Sequence, residues 1–267
     1  MLGTGRIAPA MPFPGRRGGR LIERNLFVYR RIWIVLVSGF FEPLFYLLGV
    51  GYGVGSLVGT VAGPDGRPVE YALFVAPALL ASSAMNGAVT EATFNFFFKL
   101  RYEKVYDGIL STPLGVADVA AGEAAWALLR GFLYSIGFIV VMFVLGLVAS
   151  PWAVLALGGS VLIGFAFGAV AMVGTTFMRK TTDFDYIFLA TLPLFLFSAT
   201  FFPLTAYPAE LRLIVQLTPL YHGVELLRGL TLGVVGPHLL VHVAYLSVMG
   251  VLGLFVVSRR LEKLLLK

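Results

Sequence analysis

The sequence predicts an all-α polytopic membrane protein with six transmembrane helices, and three observations support this fold class. Of the 267 residues, 58% are hydrophobic and 13% are charged, and the mean hydropathy is +0.89. Soluble globular chains carry about 45–50% apolar and about 25% charged residues. The apolar residues form six long segments spread over the chain, which leaves no room for a separate soluble domain. The basic residues cluster beside the ends of these segments.

Six segments qualify as membrane helices, which need about 20 apolar residues. They cover residues 32–54, 71–93, 117–148, 152–178, 186–203 and 238–258, and the fifth is the shortest. If the N-terminus is inside, 16 of the 20 Lys and Arg residues lie on the inner side, three lie outside and Arg130 lies within a span. Lys and Arg favour the cytoplasmic side, so both termini are predicted to be cytoplasmic, in a plasma membrane.

The N-terminal 31 residues precede the first span. Residues 1–19 are rich in Gly, Pro and Arg without an apolar period, which predicts a disordered cytoplasmic tail before a transmembrane domain of residues 20–267. In 20–31, apolar and basic residues are mixed along a helical stretch, as in an interfacial helix on the inner leaflet. A plain basic flank that anchors the first span is the alternative interpretation.

A charged segment, 98–112, lies between the second and third spans. On a helical wheel, Phe98, Tyr102, Val105, Tyr106, Ile109 and Leu110 share one face, Arg101, Glu103, Lys104 and Asp107 lie opposite, and Lys99 lies at the border. This pattern predicts an amphipathic helix, which Pro113 ends because residues before proline disfavour the helical region. From the residues alone, two roles stay open. The helix either anchors the loop at the membrane surface or is moved by a partner outside the bilayer.

Several ionisable residues are predicted within spans, where they are costly. Glu42 precedes Pro43 in the first span, and the proline predicts a kinked helix there. The Glu42 carboxyl group then either faces a water-filled pathway or is protonated and hydrogen-bonded to a neighbouring helix. Glu91 lies near the inner end of the second span. Glu123 and Arg130, seven residues apart in the third, share one helix face, and ion pairing across the bundle is favoured over substrate contact.

The segment between the fifth and sixth spans, 203–237, is too charged and too interrupted to cross the membrane. Helical stretches at 208–217 and 219–229 each open with proline, which is tolerated in a first turn. A re-entrant outer hairpin is therefore predicted.

Absent motifs restrict the chemistry. The chain has no cysteine, and it contains no G-x-x-x-x-G-K-[ST], H-E-x-x-H or G-x-S-x-G sequence. His238 and His242 stand at i, i+4, but without a carboxylate nearby in sequence they predict no metal site. The basic residues follow the topology, so no nucleic-acid partner is predicted. Two functions remain as alternatives to transport driven by a separate ATPase: an ion-coupled carrier that uses Glu42, and a membrane-embedded lipid-modifying enzyme that uses Glu42 or Glu123.

Four stretches carry a family resemblance. They are Phe41–Leu48, Ala76–Leu80 with Met85 and Glu91, Tyr106–Leu114 with Asp118 and Glu123, and Phe202–Leu204 with Pro208 and Leu217–Leu220. In this order, with six spans and an outer hairpin, they resemble the ABC-2 type permeases, the membrane subunits of type V ABC exporters. The branch that exports nodulation lipooligosaccharides is especially similar.

The resemblance implies roles for these segments. It implies that 98–112 is a cytoplasmic coupling helix docking into a separate nucleotide-binding subunit, and that 20–31 is the N-terminal amphipathic interface helix. It implies two P-loop ATPase subunits that hold ATP and Mg²⁺, a homodimer or a paralogous partner, and a cargo of polysaccharide, lipid, lipid-linked glycan or drug. The coupling residues would be Lys99, Arg101, Tyr102, Glu103, Lys104, Val105, Tyr106 and Asp107. The outer gate would comprise Phe202, Pro203, Pro208, Pro219, Tyr221, His222 and Glu225.

Overall fold

The structure, a computed structural model, describes residues 44–103 and 105–265. The helices are α1 (Leu44–Val58), α2 (Tyr71–Arg101), α3 (Val105–Leu110), α4 (Val116–Val144), α5 (Ala153–Phe177), α6 (Phe184–Leu196), α7 (Ala209–Leu217), α8 (Pro219–Leu232) and α9 (His238–Leu265). Strands β1 (Thr60–Ala62) and β2 (Pro68–Glu70) join α1 to α2. The tail, the predicted interface helix, Glu42, Pro43 and Lys104 lie outside the described residues.

Four of the described helices are long and apolar enough to cross a membrane: α2, α4, α5 and α9. They correspond to four of the six predicted spans and begin within one residue of them, but α2 and α9 extend eight and seven residues past the predicted ends. The chain is therefore a polytopic membrane protein, while the count of six spans stays a prediction. The core lies around α2, which packs against α4, α5 and α8, and α9 packs along α5.

The bundle has two ends, which we name by their residues. The lower end contains residues 98–103, 105–112 and 178–184, where Arg101 contacts Met178. The upper end contains residues 59–70 and 199–218. Helices α2 and α5 are in contact near the lower end, where the hydroxyl of Thr175 donates to the carbonyl oxygen of Ala92.

The fifth predicted span, 186–203, is wrong in its bounds. Helix α6 ends at Leu196 and has 13 residues, which gives a length of about 20 Å at 1.5 Å per residue. Pro193 lies in its last turn, and Ala199 has a positive φ of 55°, so the chain leaves the helix before Pro203. A bilayer core is about 30 Å thick, and α6 alone is too short to cross it.

The continuous helix predicted over 98–112 is also wrong. Helix α2 ends at Arg101, and α3 begins at Val105. The carbonyl of Phe98 accepts from the backbone N–H groups of both Tyr102 and Glu103, which closes the last turn. Helix α3 ends at Leu110, shortly before Pro113, as predicted.

Two features of the upper end complete the fold. The two helices predicted in the outer hairpin are present as α7 and α8, with Pro219 in the first turn of α8. The expectation of an all-α chain needs one correction, because β1 and β2 form an antiparallel hairpin with Val61 opposite Val69. Its turn holds Pro64-Asp65-Gly66, where Gly66 has a φ of 78°, a typical turn sequence.

Candidate functional site

The lower end presents a short polar segment between α2 and α3. The side chains of Arg101, Tyr102 and Glu103 are exposed, Tyr102 by 60%. Tyr106 is buried instead, and Val105 is half-buried, so the predicted coupling residues do not share one surface. Of the residues that the structure describes here, 101–103 are exposed, and we call them the lower-end contact.

An aromatic cluster connects the lower-end contact to α6. Phe184, the first residue of α6, stacks on Phe94 with ring centroids 4.2 Å apart and meets Phe97 at 5.1 Å. Phe97 and Phe184 are both buried with Met178. The guanidinium of Arg101 donates to the carbonyl oxygen of Met178 at 3.1 Å. The end of α2 is therefore in direct contact with the turn that leads into α6 and with its first residue.

The turn between α5 and α6 is fixed by Asp183. Its carboxylate accepts from the backbone N–H of Arg179 at 2.7 Å and of Lys180 at 3.1 Å. These two hydrogen bonds hold the pKa of the Asp183 carboxyl below its usual value, since they favour the charged form. The turn that carries Met178 is thus held in one geometry beside the lower-end contact.

Two ion pairs join α2 to α4. The ammonium of Lys99 donates to the carboxylate of Glu123 at 2.8 Å, and the guanidinium of Arg130 pairs with Glu91. Both carboxylates are buried. The sequence placed Lys99 at the border of an exposed face, whereas its amine lies against α4. Arg130 also donates from Nε to the hydroxyl oxygen of Tyr134 at 3.1 Å.

A cavity of about 740 Å³ lies between α2, α4 and α6. One wall carries polar side chains of α2, and the facing wall carries aromatic and aliphatic side chains of α6. Arg130 and Tyr134 reach it from α4, and Asp185 stands at its lower end. Pockets that bind small molecules usually measure about 300–1,000 Å³, so this cavity has the size of a ligand site.

The upper end is organised around Arg228 of α8, whose side chain is 1% exposed. Its guanidinium donates to the carbonyl oxygens of Phe74 at 3.2 Å and Ala199 at 2.8 Å, and it pairs with Glu225. The ring of Phe74 lies 3.7 Å from the guanidinium carbon. One side chain thereby fixes α8, the start of α2 and the chain after α6.

The predicted gate residues divide between surface and interior. Phe202 and Pro208 are exposed, Pro203, Pro219, Tyr221 and Glu225 are half-buried, and His222 is buried. His222 meets His242 of α9 with the two Nδ1 atoms 2.8 Å apart and stacks on Tyr245 at 3.9 Å. These contacts join α8 to α9. The described residues contain no group of three or more His, Cys, Asp or Glu side chains that could hold a metal.

The structure shows two residues of interest that the sequence analysis missed. Arg228 was counted only as an outer charge, although a lone Arg among the apolar residues of 219–232 is a pattern that indicates burial with partners. Asn86 is exposed to the cavity midway along α2. Its isolated amide within an apolar segment could have been noticed. Glu42, Pro43 and Lys104 lie outside the described residues, as does the side chain of Asp107.

Comparison with known proteins assigns the family. The family model described as ABC-2 type transporter matches residues 19–232. Nodulation protein J of Sinorhizobium fredii is 31% identical over 249 residues, which cover 91% of this chain and 92% of the relative. Nodulation protein J of Rhizobium leguminosarum bv. trifolii is 31% identical over 250 residues and 92% of each chain, and that of Rhizobium meliloti is 29% identical over 261 residues. This chain therefore belongs to the ABC-2 type transporter family.

Proposed function

We propose that this chain is the transmembrane permease subunit of an ATP-driven ABC exporter. It moves a lipid-linked, glycolipid, polysaccharide or hydrophobic drug-like substrate outward across the plasma membrane. Two copies of a separate P-loop ATPase subunit bind ATP and Mg²⁺ and supply the energy. The permease pairs with a second copy of itself or with a paralogue, and both of its termini are cytoplasmic. Family membership supports this proposal, as does the absence of a P-loop motif from the sequence.

The lower-end contact carries the proposal. Arg101, Tyr102 and Glu103 present charge and an aromatic ring to solvent at the end of α2. Behind them, the hydrogen bond from Arg101 to Met178 and the stacking of Phe94 on Phe184 lead to α6. Helix α6 forms the apolar wall of the cavity. A partner that moves the end of α2 would therefore change the position of α6 and the shape of the cavity.

The contact can be tested with the permease and its ATPase reconstituted together in proteoliposomes. We expect Glu103→Lys to reduce ATP-driven transport by roughly tenfold or more, because a reversed charge at an interface costs several kcal/mol. A photoreactive amino acid in place of Tyr102 should crosslink to the ATPase subunit. Both residues are exposed, so neither change removes a buried side chain.

Glu210 provides the matched control, since it is an exposed Glu at the first turn of α7 at the upper end. Glu210→Lys should leave transport unchanged, and a photoreactive residue at 210 should not reach the ATPase. Normal transport by the Glu103→Lys variant, or crosslinking from 210 but not from 102, would refute the proposed contact.

A further inference from the structure

The amide of Asn86 points to a ligand in the cavity. Asn86 stands halfway along α2, which runs from Tyr71 to Arg101 and is mostly buried. Its side chain is nevertheless exposed and lines the cavity, and it makes no hydrogen bond within the described parts of the chain. Leaving an amide unbonded at the depth of the hydrocarbon costs several kcal/mol. A polar group inside the cavity would offset that cost.

Asn86 belongs to a polar stripe on α2. Ser83 lies three residues before it and Thr90 four residues after it, so all three lie on one face of the helix. All three line the cavity. The opposite wall is mostly apolar, with Phe188, Leu192 and Phe195 of α6, and the hydroxyl of Thr191 there already donates to a backbone carbonyl of its own helix. The cavity thus has one face for hydrogen bonding and one for hydrocarbon.

The charges around the cavity disfavour an anion. Arg130 is the cation that lines it, and this guanidinium is already neutralised by Glu91. Asp185 at the lower end makes no ion pair among the residues that the structure describes, so the uncompensated charge on the lining is negative. An anionic group would have to enter a cavity whose lining already carries one uncompensated carboxylate and whose guanidinium is paired.

We propose that this cavity binds an uncharged amphiphile. Its hydroxyl or amide groups hydrogen-bond to Ser83, Asn86 and Thr90, and its alkyl chain lies along Phe188, Leu192 and Phe195. This ligand class rests on the proposed function in so far as the ligand is the exported cargo, but its binding needs no ATPase. The site lies between helices of one chain, so a single copy holds all the residues named.

Binding can be measured on the full-length chain in nanodiscs without the ATPase. The probe is dodecyl maltoside with a photoreactive group in the alkyl chain, and the competitors are unlabelled dodecyl maltoside and dodecyl phosphate. We expect the maltoside to compete at least tenfold better than the phosphate, with labelled peptides from α2 and α6. Asn86→Leu, which keeps the size but removes the amide, should raise Kd about 3- to 10-fold, since one hydrogen bond contributes about 0.5–1.5 kcal/mol.

A matched pair of leucines tests the apolar wall. Leu192 of α6 and Leu133 of α4 are both exposed, and only Leu192 lines the cavity. Leu192→Trp should abolish labelling and Leu133→Trp should leave it intact, with equal thermal unfolding confirming that both variants fold. Equal competition by dodecyl phosphate, or unchanged labelling of both Asn86→Leu and Leu192→Trp, would overturn the proposal. If the unmodified permease, reconstituted with its ATPase, shows no ATP-driven transport but binds the maltoside normally, the proposed function is refuted and the cavity site still stands.

Discussion

The ring of Tyr106 lies against the ring of Phe96, with centroids 5.6 Å apart. A continuous α-helix would separate residues ten positions apart by about 15 Å along its axis. The chain must therefore turn back between the end of α2 at Arg101 and the start of α3 at Val105. This contact places α3 against the side of α2 and leaves residues 101–103 exposed at the turn.

Tyr106→Ala should release α3 from α2. Truncating a buried aromatic side chain costs about 3–5 kcal/mol, and Tyr106 is almost completely buried. Because α3 has only six residues, we expect local loosening rather than loss of the spans. Limited proteolysis should cut the variant between residues 101 and 115 much faster than the parent protein. Tyr102→Ala, which truncates an exposed tyrosine nearby, is the control. Equal cleavage of the two variants would contradict the packing role.

The sequence predicted the long helices better than the helix over 98–112 and the fifth span. Apolar length predicted the first residues of α2, α4, α5 and α9 to within one residue, because a span needs a continuous run of about 20 apolar residues. It missed the ends of α2 and α9, which continue eight and seven residues past the predicted spans into charged sequence. The wheel over 98–112 assumed one unbroken helix, and the face that it assigned to Phe98 and Tyr102 depends on that assumption. The break follows from the contact of Tyr106 with Phe96 and the hydrogen bond of Arg101 to Met178. These contacts depend on tertiary structure that a local pattern does not contain.

The ion pair of Lys99 with Glu123 allows a test of whether Lys99 stabilises the bundle or contacts the ATPase. Lys99→Glu should lower stability by about 3–5 kcal/mol, because it leaves the buried Glu123 carboxylate facing a like charge. The exchange variant Lys99→Glu with Glu123→Lys restores opposite charges at the same positions. We expect it to recover most of the thermal stability and also ATP-driven transport in proteoliposomes. Recovery of stability without transport would show that the Lys99 ammonium itself contacts the ATPase.

Gly253 allows α9 to approach α5 closely. A Cβ atom at Gly253 would lie 2.9 Å from the Cβ of Ala169 and 3.0 Å from its backbone carbonyl carbon. Backbone cannot move aside as a flexible side chain can, so Gly253→Ala should destabilise the bundle by about 1–3 kcal/mol. Gly131 of α4 is the control, since a Cβ there meets nothing within 4 Å. Gly131→Ala should be neutral or stabilising by up to about 1 kcal/mol. Thermal unfolding in detergent should therefore shift in opposite directions, and a tolerated Gly253→Ala would contradict the close contact.

Arg228 should be the most sensitive residue of the upper end. Arg228→Met keeps the apolar part of the side chain but leaves the carbonyl oxygens of Phe74 and Ala199 without their donor and Glu225 without its cation. Losing one partner of a buried ion pair costs about 3–5 kcal/mol. Arg228→Lys should give an intermediate loss, because a single ammonium cannot reproduce a planar guanidinium that reaches three acceptors.

Arg212 is the matched control for Arg228. Its guanidinium also donates to two backbone carbonyl oxygens, those of Tyr207 and Thr205, but it does so at the exposed surface. Arg212→Met should therefore cost about 1 kcal/mol or less, since water replaces the lost hydrogen bonds. Thermal unfolding in nanodiscs should rank Arg212→Met above Arg228→Lys, and Arg228→Lys above Arg228→Met. Equal losses for Arg212→Met and Arg228→Met would show that the backbone bonds alone matter, and that burial and the pair with Glu225 do not.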